Sequence, residues 1–264
     1  MSLRDWGSLR APEFRALDPM RDVAVLPLAA TEQHGEHLPT GTDSLIMAGM
    51  LARLRADCPA DLSLVLLPVQ EVGKSNEHSW AAGTLTLTAE TALRAWGEIG
   101  LSVARAGLRK VILVNSHGGN LDLMSILSRE LRVRAGMLAV RCQWVSFGVP
   151  KGMYSAREQA FGIHGGDYET SLMLHFRPDL VDRAACRDLP SAAEGAAIAP
   201  VGPVAFGWIA SDLNPAGAAG EAHLASAEKG AATAAHQVAG FIALARQVVA
   251  HPMTGFAPVP GTLP

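Results

Sequence analysis

The segment TEQHGEHLPTGTD, Thr31 to Asp43, is rich in side chains that bind metal ions or move protons. It contains Glu32 and His34 and has no lysine or arginine. These two residues are two positions apart, so on an extended segment both side chains face the same direction. Carboxylate and imidazole ligands without a thiolate are typical of sites for Zn, Mn or Fe(II). The pattern therefore predicts a divalent metal site.

Two further segments carry the same kinds of side chain. VNSHGGN contains His117, followed by Gly118 and Gly119, which allow close approach of the backbone. IHGGDYETS contains His164 and Glu169. We expect His164 to act as a proton shuttle above the metal site, and Glu169 to complete the coordination of a metal ion.

A fourth segment, GKSNEHSWAAGTLTLT, follows a predicted strand and is a candidate for contact with the substrate. Ser75 and His78 are expected to line the substrate pocket, together with Asn76 and Glu77. For Glu77 and His78, pocket lining and bracing of the loop are equally supported. The turn at Gly118 is an alternative phosphate site at a helix N-terminus, although it lacks the lysine of a P-loop.

Other polar residues near these segments have simpler interpretations. We expect His37 to form a hydrogen bond with the loop backbone rather than bind a metal. Glu36 is expected to be a surface charge. Asp167 is predicted to cap the helix that carries Glu169, because aspartate is common near helix starts.

Apolar periodicity predicts alternating strands and helices that position these residues. Buried strands are expected at 22–30, 62–70, 110–115 and 137–147. Helices are expected at 43–56, 88–106, 120–135, 169–175 and 221–250, with Thr88 as a cap. Residues 148–167 form a long excursion, and 190–220 are predicted to be irregular. This order favours an α/β fold with a mostly parallel sheet covered on both faces, in a single domain over residues 1–264.

The polar clusters fall at the carboxyl ends of the predicted strands, where open parallel sheets bind ligands. Glu32 and His34 follow the first predicted strand, and His117 follows the third. Asp43 lies at the start of a helix, where its carboxylate could bridge two cations. The strand order thus predicts that these residues converge on one crevice.

Composition excludes several other classes of protein. The formal net charge is -3, only 18% of residues are charged, and there is no basic run of the kind that binds nucleic acid. Three widely spaced cysteines favour a reducing cytoplasm over a disulfide framework. The N-terminus has no apolar core for a signal peptide, and the weakly polar run 195–210 contains two prolines and is too short to cross a membrane.

Taken together, TEQHGEHLPTGTD, VNSHGGN and HGGDYETSLMLHFRPDLVD resemble the creatininase (creatinine amidohydrolase) family. The similarity extends to EHSWAAGTLTL and AGEAHLASAEKG and so covers nearly the whole chain. The resemblance implies a three-layer α/β/α fold, a metal-dependent hydrolase of unusual C–N bonds, a centre of two divalent ions, and a homo-oligomer, often a hexamer. The implied ions are Zn or Mn, and Fe(II) also accepts these ligands.

The resemblance also implies roles for individual residues. Glu32, Asp43 and His117 would hold one metal ion. His34 and the bridging Asp43 would hold the second. His164 would match the catalytic histidine of the family.

Two departures from creatininase bear on the substrate. Creatininase has a Tyr-Glu pair, with the glutamate as a metal ligand, where this chain has Gly118 and Gly119; we expect Glu169 to supply the missing ligand. The stretch YSAREQAFGIHGG has no tryptophan, and Tyr154 and Phe161 are its only aromatic residues. Creatinine is therefore a poor candidate substrate. Substrate contacts are expected from Ser75, His78, Gly118 and Tyr154.

The expected reaction is hydrolysis of an amide or other non-standard C–N bond in a small molecule, by water activated between the two cations. His164 would deliver a proton to the leaving nitrogen, and Glu169 would orient the nucleophile. The first alternative is a metal-dependent isomerase or lyase acting on a sugar-like hydroxy-ketone. The second is a structural metal-binding protein without catalysis.

Overall fold

The computed structural model describes residues 3–259, and a five-stranded sheet lies at its centre. Its strands are β1 Leu3–Asp5, β2 Asp22–Leu28, β3 Ser63–Leu66, β4 Lys110–Asn115 and β5 Leu138–Gln143. All four neighbouring pairs are parallel, in the order β1-β3-β2-β4-β5. The predicted mostly parallel sheet is confirmed.

Side chains of the central strands alternate between two hydrophobic cores. Val23 and Val25 of β2 face one core, and Ala24 and Leu26 face the other. All seven residues of β2 are buried. Strands covered on both faces have this continuous apolar character, because neither side meets water.

Helices cover both faces of the sheet. The long helices are α2 Thr42–Asp57, α3 Ala89–Arg105, α4 Leu121–Ala135, α6 Asp167–Phe176 and α8 Ala227–Ala250. Apolar residues of α2, α6 and α8 pack into one core, and those of α3 and α4 pack into the other. The fold is thus the expected three-layer α/β/α sandwich.

Short elements complete the chain. They are α1 Ala11–Phe14, α5 Ala156–Phe161, α7 Ala210–Leu213, and an antiparallel pair formed by β6 Asp188–Leu189 and β7 Gly220–Glu221. The segment 190–220 is otherwise irregular, as predicted. The single-domain assignment over residues 1–264 stays a prediction.

Several element boundaries differ from the predicted ones. Strand β1 was not predicted, because its sequence LRD has no apolar run. The last helix begins at Ala227 rather than Glu221, since the Ser226 side chain caps it and Glu221 pairs with Asp188 in the small sheet. The predicted cap at Thr88 is confirmed, because its side chain accepts a hydrogen bond from the backbone N–H of Thr91.

Two further observations concern the cysteines and the helices. Cys142 and Cys186 are free thiols. Within residues 3–259, every helix is too short or too polar to span a bilayer.

Candidate metal centre

The predicted ligands meet at the carboxyl ends of β2 and β4. These strands are neighbours, and their last residues, Leu28 and Asn115, are paired. The chain leaving β2 carries Glu32 and His34, and the chain leaving β4 carries His117. The predicted crevice at the strand ends is therefore present.

The strand-end loops are tied together by Asn120, a fully buried residue that was not singled out from the sequence. Its side-chain amide donates hydrogen bonds to the carbonyl of Ala29 at 3.1 Å and to the side chain of Asn115. Its side-chain oxygen accepts from the backbone N–H of Lys74 at 3.0 Å. One side chain thus links the segments that follow β2, β3 and β4.

Glu32, Asp43 and His117 form a first group, which we call the first position. Nδ1 of His117 lies 3.1 Å from Oε1 of Glu32 and 3.3 Å from Oδ2 of Asp43. Nε2 of His117 donates a hydrogen bond to the carbonyl of Lys74, which leaves Nδ1 free to face the carboxylates. All three side chains are buried.

His34, Asp43 and Glu169 form a second group, the second position. Nδ1 of His34 donates to the carbonyl of Glu32, so Nε2 faces the site. This Nε2 lies 3.7 Å from Oδ1 of Asp43 and 3.9 Å from Oε2 of Glu169. Their ligand atoms all lie within 4.8 Å of one another. The two oxygens of Asp43 thus face different groups, which is the arrangement of a bridging carboxylate.

The chemistry of these atoms fits bound cations. Both side-chain oxygens of Glu32, Nε2 of His34 and Oδ2 of Asp43 are buried without a hydrogen-bond partner. Leaving such polar atoms unpaired costs about 1–3 kcal/mol each, more for charged groups. Several electron-rich atoms facing one another need a shared proton or cation, and carboxylate with imidazole suits Zn, Mn or Fe(II).

Without a metal ion, the imidazole rings of His34 and His117 carry the positive charge of the cluster. Burial opposes charging of His117, but the carboxylates of Glu32 and Asp43 outweigh it and raise the pKa of His117 well above its usual range. Burial also opposes charging of His34, but the carboxylate of Asp43 outweighs it and raises the pKa of His34 to about 9. Burial raises the pKa of Glu169 to about 7. A metal ion entering the cluster must therefore displace protons.

His164 lies against the same cluster. Its Nε2 donates a hydrogen bond of 2.6 Å to the carbonyl of Gln33, and its Nδ1 lies 3.6 Å from Oε1 of Glu32. Its ring packs against those of His34 and His78, with centroids 4.0 and 4.2 Å apart. Burial and the charge of His34 hold the pKa of His164 well below its usual range. Nδ1 is therefore a neutral acceptor that faces the site.

The substrate candidates are placed differently from one another. His78 and Gly118 line a cavity of about 540 Å³ that opens onto the cluster. Ser75 is fully buried, and its hydroxyl lies 3.3 Å from Nε2 of His117, so it braces a ligand. Tyr154 is buried elsewhere, with its hydroxyl bonded to Thr233 of α8. The structure thus gives neither Ser75 nor Tyr154 a place on the cavity wall.

Of the simpler interpretations, two are confirmed and one is wrong. Nε2 of His37 donates to the carbonyl of Gly165 at 2.9 Å, and Glu36 is exposed and pairs with Arg187. Asp167 does not cap its helix: it is the first helical residue, after Gly166. Its carboxylate instead accepts from Ser171 and pairs with Lys229.

Part of the cavity wall was missed from the sequence. Residues 200–209, the wall segment, contribute Val201, Phe206, Trp208 and Ile209. The indole N–H of Trp208 donates to the carbonyl of Pro200 at 2.7 Å and closes this segment into a loop. Two aromatic residues in a Gly/Pro-rich stretch were the feature of the sequence that pointed to a binding role. Periodicity does not show where such a loop lies in the fold.

Glu77 is the other cavity residue of interest. Its Oε1 lies 3.7 Å from Nε2 of His117, and Lys74 pairs with its Oε2 at 2.9 Å. A Cβ at Gly119 would overlap Oε1 of Glu77. Glycine at 119 therefore leaves room for a carboxylate that comes from a different loop.

Comparison with known families identifies close relatives of the chain. The profile described as creatininase, creatinine amidohydrolase, matches residues 7–245. A mycofactocin precursor peptide peptidase of Mycolicibacterium smegmatis is 31% identical over 184 residues, 68% of this chain and 69% of the relative. A creatinine amidohydrolase of Pseudomonas putida is 32% identical over 203 residues, 70% and 76% of the two chains.

A more distant relative and two solved structures extend the comparison. A 3-dehydro-scyllo-inosose hydrolase of Thermotoga maritima is 24% identical over 229 residues, 79% of this chain and 71% of the relative. A creatininase structure with Mn has a TM-score of 0.73 at 25% identity, covering 94% of this chain and 99% of the other. A mutant creatininase of Zn–Zn type has a TM-score of 0.72 at 26% identity, with 94% and 98% covered.

Proposed function

The chain belongs to the creatininase family, and from that membership we propose that it is a metal-dependent hydrolase of an amide or another non-standard C–N bond. The observation that carries the proposal is the set of buried, unpaired ligand atoms on Glu32, His34 and Asp43. Glu32 and Asp43 line a cavity of about 540 Å³, and cavities that hold ligands are typically about 300–1,000 Å³.

Two divalent ions, Zn or Mn, are proposed at the first and second positions. Glu32, Asp43 and His117 would hold one, and His34, Asp43 and Glu169 the other. When bound, such ions supply an activated water and a positive charge for the developing oxyanion. Support comes from the two carboxylate oxygens of Asp43, one of which faces His34 and the other His117. The Mn and Zn–Zn forms of the similar creatininases also support it.

His164 is proposed to move the proton. Its Nδ1 faces Glu32 as a neutral acceptor, while its Nε2–H is held by the carbonyl of Gln33. Nδ1 can therefore take a proton from the attacking water and return it to the leaving nitrogen. Glu169 is held by the backbone N–H of Gly165 at 2.6 Å, so its carboxylate is oriented before the substrate arrives.

The substrate is proposed to be an amide larger than creatinine. The cavity of about 540 Å³ has an apolar wall from the wall segment and charged groups from Lys74, Glu77 and Asp122. One similar protein is named a peptide peptidase, and another a creatinine amidohydrolase. Linear peptides therefore join small and cyclic amides as candidates.

One observation favours a second candidate. The Thermotoga maritima relative is named a hydrolase of 3-dehydro-scyllo-inosose, a polyhydroxylated ketone. The second candidate is therefore a reaction on a sugar-like ketone, at which the two ions would supply positive charge. The relative shares this kind of substrate with the isomerase or lyase expected as an alternative, but it is named a hydrolase. The structural-protein alternative is disfavoured, because the cluster opens onto a cavity instead of being closed by protein ligands.

A substrate panel tests the proposal. Ion-free protein would be reconstituted with Zn²⁺ or Mn²⁺ and incubated with cyclic amides, linear peptides and polyol ketones. We expect a new amine and carboxylate from one of the amides, only with metal. Turnover of a polyol ketone alone would support the second candidate, and turnover unaffected by chelation would contradict both.

Assembly and location also stay proposals. We propose a homo-oligomer, with a hexamer as the expected form, in the cytoplasm. Light scattering coupled to size exclusion measures the first, and fractionation of the source cells measures the second.

A further inference from the structure

Glu158, on α5, is a buried carboxylate with no part in the proposed reaction. Only 4% of the residue is exposed. Its Oε1 accepts a hydrogen bond from the backbone N–H of Tyr168 at 3.1 Å, and its Oε2 accepts one from the backbone N–H of Glu221 at 2.7 Å. Both oxygens therefore serve as acceptors for backbone that lies outside α5.

Three glycines allow the backbone to approach this carboxylate. A Cβ at Gly162, Gly166 or Gly220 would overlap the Glu158 side chain. Gly220 also has a φ of +146°, which disfavours other residues. The carboxylate is thus enclosed by the chain segments that run past it.

Those segments carry residues of the candidate site. Gly162 and Gly166 flank the turn that contains His164. His164 exchanges two backbone hydrogen bonds with Ala219, the residue before Gly220, at 3.3 and 2.8 Å. Gly165, in the same turn, orients Glu169 through its N–H. Glu158 therefore contacts the chain on both sides of His164 and just before Glu169.

We infer that Glu158 is a positioning residue that fixes the segment from His164 to Glu169 against β7 and so holds Glu169 at the second position. The inference rests on the two-ion site proposed above. The charged form matters because both oxygens must accept. A glutamine has the same shape, but its NH₂ group would face the N–H of Tyr168 or Glu221. The first position has no ligand on this segment, so its affinity for a metal ion should not change.

The test is a titration of ion-free, full-length protein with Co²⁺ and Zn²⁺, followed by calorimetry and by the visible absorption of Co²⁺. Wild-type protein should bind two ions. Glu158→Gln should bind the second ion about 10–100-fold more weakly, the usual effect of losing a partner just outside the ligands, while the first ion is unchanged. Glu13→Gln is the control, because Glu13 also accepts a backbone N–H, from Arg10, and lies on α1.

A second variant covers the case in which Glu158→Gln does not fold. Gly166→Ala would press on Glu158 from the other side, and its φ of −80° is one that alanine adopts. Gly166→Ala should also weaken the binding of the second ion selectively. Gly7→Ala, at a site with open space around the added methyl group, should not change it.

The outcomes separate this inference from the proposed function. Two ions in the wild type with no change in either variant would overturn the role of Glu158 alone. Equal weakening of the binding of both ions would also overturn the role of Glu158, because a general structural role would give that result. Failure of the wild type to bind any ion would overturn the two-ion site itself, and this inference with it.

Discussion

The two halves of the candidate site are held by different kinds of structure. Glu32 and His117 leave neighbouring, register-paired strands, and Asn120 ties their loops together. His164 and Glu169 lie beyond the sheet, on the segment that leads into α6. This segment contacts the loop after β2 through the Gln33 carbonyl, and Glu158 supports it. One half is therefore positioned by the sheet, and the other by a local network of hydrogen bonds.

Asp43 joins the two halves, so its loss should have the largest effect. Asp43→Ala removes an oxygen from each position, and we expect both ions and all turnover to be lost. Metal content after gel filtration measures this directly. Asp57→Ala, at the far end of the same helix, is the control. A variant that keeps two ions would show that Asp43 does not bridge.

His164 separates proton transfer from metal binding. His164→Ala should leave both ions bound and reduce kcat by about 10²–10⁴-fold, the usual contribution of a general acid–base group. The measurement is kcat on the amide found in the panel, with metal content determined in parallel. His223→Ala, on an exposed histidine, should change neither. Unchanged kcat would remove His164 from the reaction.

Paired substitutions test whether the two positions bind their ions independently. Glu169→Gln should weaken the second ion by at least about tenfold and leave the first in place. Glu32→Gln should have the reverse effect. Competitive titration against a chromophoric chelator gives both affinities. If either variant lost both ions together, the two positions would not be independent.

Metal affinity should rise with pH. The pKa of His34 is raised to about 9 in the ion-free protein, so below that pH its Nε2 carries a proton that the ion must displace. Apparent affinity should therefore increase from pH 6 to pH 9. Calorimetry in buffers of different ionisation enthalpy should show proton release near pH 7.5. Proton uptake would contradict the assignment.

The wall segment should affect only substrate binding. Trp208→Ala removes an aromatic side chain from the cavity wall without touching a ligand of either ion. We expect KM to rise about tenfold, or about 1.4 kcal/mol, with kcat and metal content unchanged. A fall in kcat at constant KM would place Trp208 closer to the reacting atoms.

The sequence predicted the sheet half of the site better than the other half. Apolar runs located β2 and β4, and parallel strands bring their carboxyl ends to one edge, so the meeting of Glu32 and His117 followed from the pattern. Glu169 was also predicted to complete the coordination of a metal ion, from its position in a segment rich in metal-binding side chains, but the pattern did not show where that segment lies relative to the sheet. Local periodicity contains no information about how residues 148–166 return to the sheet.

The errors have the same physical origin. Tyr154 was expected at the substrate, yet it packs against α8, because tertiary contacts decide which face of an irregular segment is buried. The sequence of the wall segment predicts irregular structure and no function, although its aromatic residues line the cavity. Asn120 and Glu158 act through hydrogen bonds between distant segments, and single residues of these types carry no sequence signal for such contacts.

Anomalous diffraction at the Zn or Mn absorption edge would test the central claim most directly. Crystals of metal-loaded protein should give two peaks, one about 2.0–2.2 Å from ligand atoms of Glu32, Asp43 and His117, and one at the same distance from His34, Asp43 and Glu169. Asp43 should contact both. No peak in this crevice, or a single ion held without Asp43, would contradict the account.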